Sequence, residues 1–363
     1  MNEAMESLPR VLAARVAAIP AIDEERVAEA RRHLDDLTKP LGSLGRLEKI
    51  AAQMFALRDG GPRAAMKKAV YVFAADHGIT AERVSAYPTE VTRQMVENFL
   101  AGGAAINVLA RQHGAAVHVV DVGVDGDLSH HAALLHHKVR RGSRNMLREA
   151  AMSEAELAMA LAAGMALGDA AAAEGVGLLA IGEMGIGNTT AASAITAALT
   201  GTAAAEVTGR GTGLSDEAYR RKQAVIAAVL ERHFAAGSAA ARPLEVLRCV
   251  GGLEIAAMAG MMLAAGGHRI ALVIDGFIST AAAAVAYAVA PRVRDYMFAG
   301  HRSQEPGHRI LLERLGLWPI LDLEMRLGEG TGAVLAMPVI EAAVRLYDEM
   351  ATFSSAGVSG ASR

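Results

Sequence analysis

Leu178-Leu179-Ala180-Ile181-Gly182-Glu183-Met184-Gly185-Ile186-Gly187-Asn188-Thr189-Thr190 is an apolar run that breaks into a polar, glycine-bearing string and then opens an alanine-rich stretch. A short apolar run bounded by turn residues reads as a strand buried on both faces. Five more stretches share the pattern: 71–75 into Asp76-His77-Gly78, 117–120 into Asp121-Val122-Gly123, 270–274 into Asp275-Gly276-Phe277, 296–298 into Gly300-His301-Arg302-Ser303-Gln304-Glu305, and 320–325 into Gly328-Glu329-Gly330. Helical patterns at 94–112, 153–174, 189–199, 216–234, 253–265 and 279–288 alternate with them. That alternation argues for βαβ units with right-handed crossovers, hence an α/β fold with a mostly parallel sheet flanked by helices. Open sheets of this kind bind ligands at the carboxyl ends of their strands, so the six polar strings are expected to line one site.

The rest of the chain sets the context. At 363 residues it can bury a large core, and 52% hydrophobic with only 4% aromatic residues means a core of Ala, Leu, Val, Ile and Met. A net charge of -3 supplies no basic face for nucleic acid. The one cysteine, Cys249, excludes an internal disulfide, fits a reducing compartment and falls in a helical pattern, where it is expected to be buried. The first twenty residues lack the apolar core of a signal peptide, and the longest apolar stretches, 255–267 and 280–290, are too short to span a bilayer. A soluble cytoplasmic protein without membrane or nucleic-acid partners is expected. Residues 8–58 read as helices broken at Pro20 and at Lys39-Pro40-Leu41-Gly42-Ser43-Leu44-Gly45, with Asp23 as a cap. A last helix follows Gly330 to about Phe353, kinked at Pro338, and residues 354–363 read as a mobile tail.

Several strings carry chemistry. The 182–190 loop opens a helix whose N-terminus favours anions, and Asn188, Thr189 and Thr190 are expected to cap it, so a phosphate site follows. A tight strand-to-helix turn is the alternative. No Gly-Lys-Ser/Thr follows, as a Walker loop requires, and no acid stands where a dinucleotide fold needs one. Glu183 would repel a phosphate and should face another part of the ligand. The 208–216 loop, with Gly209, Gly211 and Gly213, leads into a helix that carries Lys222, a candidate cation for the phosphate. Glu329, set between Gly328 and Gly330, is sterically open to a ligand; partial desolvation would raise its pKa toward that of a base. His301-Arg302-Ser303-Gln304-Glu305 reads as a ligand-positioning loop. His130, His131, His136 and His137 lie near Asp125 and Asp127, but with neither His-Glu-x-x-His nor Cys-x-x-Cys spacing, so no metal is expected. No Gly-x-Ser-x-Gly elbow is present.

Taken together, 182–190, 208–216, 275–279, 300–308 and 327–332, with 38–47, Asp76-His77-Gly78 and Val84-Ser85-Ala86-Tyr87-Pro88, resemble the nicotinate-nucleotide:dimethylbenzimidazole phosphoribosyltransferase family from about residue 38 to 345. The resemblance implies a Rossmann-like catalytic domain at 61–334, a small helical domain from 1–60 plus 335–363, a homodimer, and no cofactor or metal. It implies transfer of phosphoribose from nicotinate mononucleotide to 5,6-dimethylbenzimidazole with inversion at the anomeric carbon, in assembly of the cobalamin nucleotide loop. Carried over by motif, Glu329 is the general base and Glu183 a second acid near the reacting centre. Ser85 and Gln94 line the benzimidazole pocket. Gly185, Gly187, Asn188, Lys222 and Ser303 hold the nucleotide, and Thr189, Gly211 and Asp275 complete the substrate-binding set. The residue types suit that reaction. A cationic pyridine leaves without being protonated, so one base suffices where glycoside hydrolysis needs two carboxyl groups. A monophosphate donor needs no acid pair holding magnesium. Two other readings stay open: a nucleotide-dependent oxidoreductase, and a non-catalytic binder of a nucleotide or aromatic base.

Overall fold

The structure is a computed structural model that describes residues 10–57, 66–211, 213–234 and 242–359. The domain boundary expected at 60/61, Thr212 of the second glycine loop and residues 360–363 of the tail lie outside that description. Strands β1 Lys67–Ala75, β2 Ala115–Gly123, β3 Leu135–His136, β4 Val176–Met184, β5 Ala271–Ile274 and β6 Met297–Ala299 form one sheet in the order β3-β2-β1-β4-β5-β6. Every pairing is parallel. The chain builds outward from β1 to β3, then returns beside β1 and builds the other way. The order therefore reverses between β1 and β4, the switch point where such sheets place a ligand crevice.

Five of the six apolar runs are β1, β2, β4, β5 and β6. The run at 320–325 is not a strand. Ile320 and Leu321 donate N–H bonds to Ala299 O (2.9 Å) and Gly300 O (3.0 Å), and Arg302 N–H returns one to Leu321 O at 2.8 Å. The regular ladder is interrupted there: Asp322, Leu323 and Glu324 are exposed, Glu324 turns left-handed at φ 56°, and one more bond, Gln304 N–H to Met325 O at 3.2 Å, follows beyond them. The remaining strand, β3, comes from the polar 125–144 stretch and pairs only Leu135 with Val120 and His136 with Asp121. Two residues are too few to leave an alternation in the sequence.

From Ala69 onward β1 is fully buried, because helices cover both faces of the sheet. Gly330, opening helix Thr331–Glu349, sits against Val70; Leu253, opening helix Leu253–Gly267, sits against Gly123 beside Ala75. Val70 and Ala75 differ in parity along β1, so these helices lie on opposite faces. Helix Glu154–Ala173 packs over Leu253–Gly267 with the backbones in contact. A Cβ on Gly164 would stand 1.8 Å from Ala257 O, and one on Gly260 2.1 Å from Leu161 O. Close helix crossings of this kind explain a core rich in alanine and poor in aromatics. Among the described residues, Glu154–Ala173 is also the one helix long and apolar enough by length and composition to cross a membrane. Glu154, Glu156 and Asp169 interrupt its apolar run in the sequence.

The expected helix 94–112 is two helices, Glu90–Ala101 and Ala105–His113, separated at Gly102 (φ 78°). Asn107 Oδ1 accepts the Ala104 N–H at 3.2 Å and fixes the restart. Asp23 caps helix Glu24–Asp36 as expected, accepting from Glu25 N and Arg26 N. Early helices and the last long helix contact each other: His33 Nε2 donates to Tyr347 O at 2.9 Å, Thr38 N–H donates to Ala351 O at 2.9 Å, and helix Arg46–Leu57 packs along Thr331–Glu349. The latter helix runs through both 334/335 and Pro338 without a break. Beyond it, Thr352 caps a further turn, Phe353–Ala356, where a loose tail was expected.

Candidate active site

β4 and the 188–200 helix set the floor of the site. Gly187 is the helix N-cap at φ 98°, and no side chain caps this terminus. The residues expected to cap it are otherwise placed. Asn188 Nδ2 donates to Glu183 Oε2, Thr189 Oγ1 accepts from Lys222 Nζ at 2.8 Å, and Thr190 Oγ1 is buried without a protein partner. Beneath the turn lies His77, paired with Glu254 at 2.6 Å, both buried. Burial lowers the His77 pKa, but the Glu254 carboxylate more than offsets that, leaving it above the ordinary value. A Cβ on Gly185 would stand 3.4 Å from the His77 ring and 2.4 Å from Ala75 O, so the turn is clamped onto the end of β1.

Lys222 lies on helix Asp216–Phe234 and is fully buried. Its Nζ donates to Thr189 Oγ1 and, at 3.3 Å, to Gly209 O. Burial pushes its pKa down to about 8, against the pull of Glu305. Lys222, Ser85, Gly185, Gly187, Asn188, Thr189 and Gly211 meet around a small recess. A helix N-terminus, glycine backbone and one buried ammonium are the parts of an anion site.

The carboxylates gather beside this recess. Glu329 is a non-glycine residue at φ 65°, and it is buried. A strained backbone of this kind persists only where the surroundings impose it. They do here: Asp275 Oδ2 accepts Gly330 N–H at 3.1 Å, and Oδ1 accepts Ala333 N–H at 3.0 Å. Gly182 allows the approach, since a Cβ there would stand 2.3 Å from Glu329 O. Glu329 Oε2 accepts the Ile106 N–H at 3.3 Å from the first turn of Ala105–His113. Burial raises the Glu329 pKa, the Ile106 bond lowers it, Asp275 raises it, and the net shift is upward. Glu183 is driven further, to about 8, by burial and then by Asp275 and Glu254; Asn188 pulls the other way. At neutral pH, Glu183 therefore holds a proton, while Glu329 is the less shifted acid.

Both acids line one cavity of about 520 Å³ at the strand carboxyl ends. Gly185, Asn188, Thr189, Gly211 and Ser303 line it as well. Ser85, Gly187 and Lys222 line only the adjoining recess, so Ser85 stands with the nucleotide-side residues rather than in the benzimidazole pocket expected for it. Gln94 and Asp275 line neither. Gln94 is exposed on helix Glu90–Ala101, whose Val91 and Met95 face the cavity instead. Asp275 lies under the wall, where its oxygens are occupied by the backbone of the Glu329 turn. The lining residues outside the expected set include three with charged or titratable side chains, His301, Glu305 and Arg326, beside the apolar Val91, Met95 and Met184. Glu305 Oε1 accepts Gly211 N–H at 3.0 Å and Arg326 donates to Gly211 O at 3.0 Å, so both pin the 208–211 loop. Only the density of polar residues at 301–308 pointed to the first two. The histidines at 130–137 line no part of the cavity; the His130 and His131 rings lie 4.0 Å apart at a 39° tilt, and His136 bonds to His131 O. Among the described residues no group of three His, Cys, Asp or Glu side chains has metal-binding geometry.

A phosphoribosyltransferase family profile matches residues 19–358. The nicotinate-nucleotide–dimethylbenzimidazole phosphoribosyltransferase of Geobacter sulfurreducens is 51% identical over 349 residues, 96% of this chain and 98% of its own length. That of Chlorobaculum tepidum is 51% identical across 95% of this chain and 97% of its own. The crystal structure of the enzyme of that name from Thermus thermophilus superposes with a TM-score of 0.88 at 51% identity, covering 94% of this chain and all of the other. The chain belongs to the nicotinate-nucleotide–dimethylbenzimidazole phosphoribosyltransferase family.

Proposed function

We propose that the protein transfers the 5-phosphoribosyl group of nicotinate mononucleotide to 5,6-dimethylbenzimidazole, giving α-ribazole 5′-phosphate and nicotinate for the cobalamin nucleotide loop. The observation that carries this reading is a buried glutamate, Glu329, lining a cavity that shares Gly185, Asn188, Thr189 and Gly211 with an anion recess built on an uncapped helix N-terminus. The nucleotide phosphate sits in the recess formed by Gly185, Gly187, Thr189, Gly211 and Lys222. The benzimidazole lies against Tyr87, Val91, Met95 and Met184, the apolar side of the cavity.

Glu329 takes the benzimidazole N–H proton. The freed nitrogen lone pair bonds to C1′ from the face opposite the pyridine. The C1′–N bond breaks, and its electron pair neutralises the cationic pyridine nitrogen, so nicotinate leaves with no proton supplied. Catalysis rests on positioning of the two rings and on base removal. We further infer that the terminal helices form the small domain, that the protein works as a homodimer, and that it acts in the cytoplasm.

Incubation with nicotinate mononucleotide and dimethylbenzimidazole tests the reaction: free nicotinate appears only when both are present. Binding of both ligands without release of nicotinate would favour a non-catalytic binder. Lys222→Ala removes the buried cation and is expected to weaken nucleotide binding on the order of 10- to 100-fold while leaving benzimidazole affinity nearly unchanged. Separate calorimetric titrations check it; equal losses would place Lys222 elsewhere in the scheme.

A further inference from the structure

A chain of three hydrogen bonds through His308 ties the loop after β6 to the loop after β5. Ser303 N–H donates to His308 Nδ1 at 2.9 Å. His308 Nε2 meets Thr280 Oγ1 at 3.0 Å, and Thr280 Oγ1 meets Gly276 O at 2.6 Å. The direction of every proton follows from the two ends. A backbone N–H only donates, so Nδ1 carries no hydrogen. A carbonyl only accepts, so the Thr280 hydroxyl proton points to Gly276. The Nε2 proton of the neutral ring is left to bond Thr280. His308 and Thr280 are both fully buried, and burial, with His301 and Arg302 nearby, pushes the His308 pKa down to about 3. The ring therefore stays neutral, in one tautomer, throughout the working pH range.

Both ends of the chain are cavity wall. Ser303 and Gly276 line the cavity; His308 and Thr280 do not. Ser303 Oγ also accepts the Glu305 N–H at 3.4 Å, and Glu305 holds Gly211 N–H. The position of Ser303 thus reaches the second glycine loop. We propose that His308, acting through Thr280, is a positioning residue for the phosphoribosyl donor: its single tautomer fixes the Ser303 loop against the Gly276 turn and so sets the nucleotide half of the cavity. This rests on the reading of Ser303 as a nucleotide-side residue. Displacement of a binding group by about 1 Å is enough to cost rate or affinity steeply.

The benzimidazole half is built by other elements, which makes the effect selective. His308→Leu leaves Ser303 N–H buried without an acceptor and is expected to raise the KM for nicotinate mononucleotide roughly 10- to 100-fold, with the dimethylbenzimidazole KM within about twofold of wild type. His308→Asn keeps an acceptor near the Nδ1 position and restores most of the loss. Thr280→Val cuts the chain at its other link without emptying the core. It raises the nucleotide KM in the same direction, and adding it to His308→Leu changes little further, as for two members of one unit. Should His308→Leu fail to fold, Thr280→Val alone decides. Equal changes in both KM values, or no change in either, overturn the proposal. Nucleotide affinity of each variant, measured by calorimetry, reads the relay independently of turnover. A wild type that binds the nucleotide but releases no nicotinate therefore counts against the reaction and not against the relay.

Discussion

Glu329→Gln lowers the rate of nicotinate release roughly 10²- to 10⁴-fold, the span expected when a general base is lost, while both ligands still bind. Gln is nearly isosteric and its amide oxygen still accepts the Ile106 N–H, so the left-handed turn held by Asp275 is retained. The base must be ionised to act, so kcat/KM in the wild type rises from the acid side to a plateau. Burial raises the Glu329 pKa, which displaces that limb above the ordinary carboxylate range. The limb disappears in the variant. A near-normal rate with the same pH profile would remove Glu329 from the role.

Glu183→Gln stabilises the fold at neutral pH by on the order of 3 kcal/mol, a large effect for one exchange. The sign follows from the proton balance. The Glu183 pKa is about 8 in the folded protein against an ordinary 4.5, because burial and the neighbouring Asp275 and Glu254 carboxylates disfavour the anion. Between those two values the folded state keeps a proton that the unfolded chain has released. Wild-type stability therefore declines as pH rises from about 4.5 to about 8. Gln cannot ionise and abolishes that slope. Denaturant titrations of both proteins at pH 5 and pH 8 measure it. The variant's advantage should be small at pH 5 and large at pH 8; equal advantage at both would show that Glu183 is not buried as a neutral acid. Such a cost to folding is what a carboxyl group retained for function looks like.

Much of this was legible before any coordinates. Strands buried on both faces leave uninterrupted apolar runs, and the polar residues that end them had few places to go other than the strand carboxyl ends. Glu183 and the 185–189 turn were singled out that way; Glu329 was singled out by its flanking glycines after a run that is not a strand, and Lys222 by the helix that follows the second glycine loop. What escaped has physical reasons. In the 320–325 run only Ile320 and Leu321 lie along the end of β6, where they make a bridge; Asp322, Leu323 and Glu324 are exposed. Gln94 was assigned to the pocket by the family resemblance; on helix Glu90–Ala101 it lies on the exposed face while Val91 and Met95 face the cavity, and the break at Gly102 that brings the Ile106 N–H to Glu329 left no mark in the helical pattern. Asp275 ends a strand like the other site residues, but its carboxylate is consumed by the backbone of the turn it supports. A residue that touches ligand and one that holds such a residue leave the same mark in a sequence. Only the count of satisfied hydrogen bonds separates them.

The claim on which the rest depends is geometric: the acid at 329 faces the nitrogen of the acceptor ring while the donor's phosphate is held at the 185–189 turn. A crystal structure of Glu329→Gln with nicotinate mononucleotide and dimethylbenzimidazole both bound measures this directly. The account predicts the ring nitrogen within hydrogen-bond distance of the side-chain amide at position 329, the phosphate against Gly185, Gly187 and Lys222, and C1′ between the two rings. A phosphate seated elsewhere, or a benzimidazole nitrogen turned away from position 329, would contradict it.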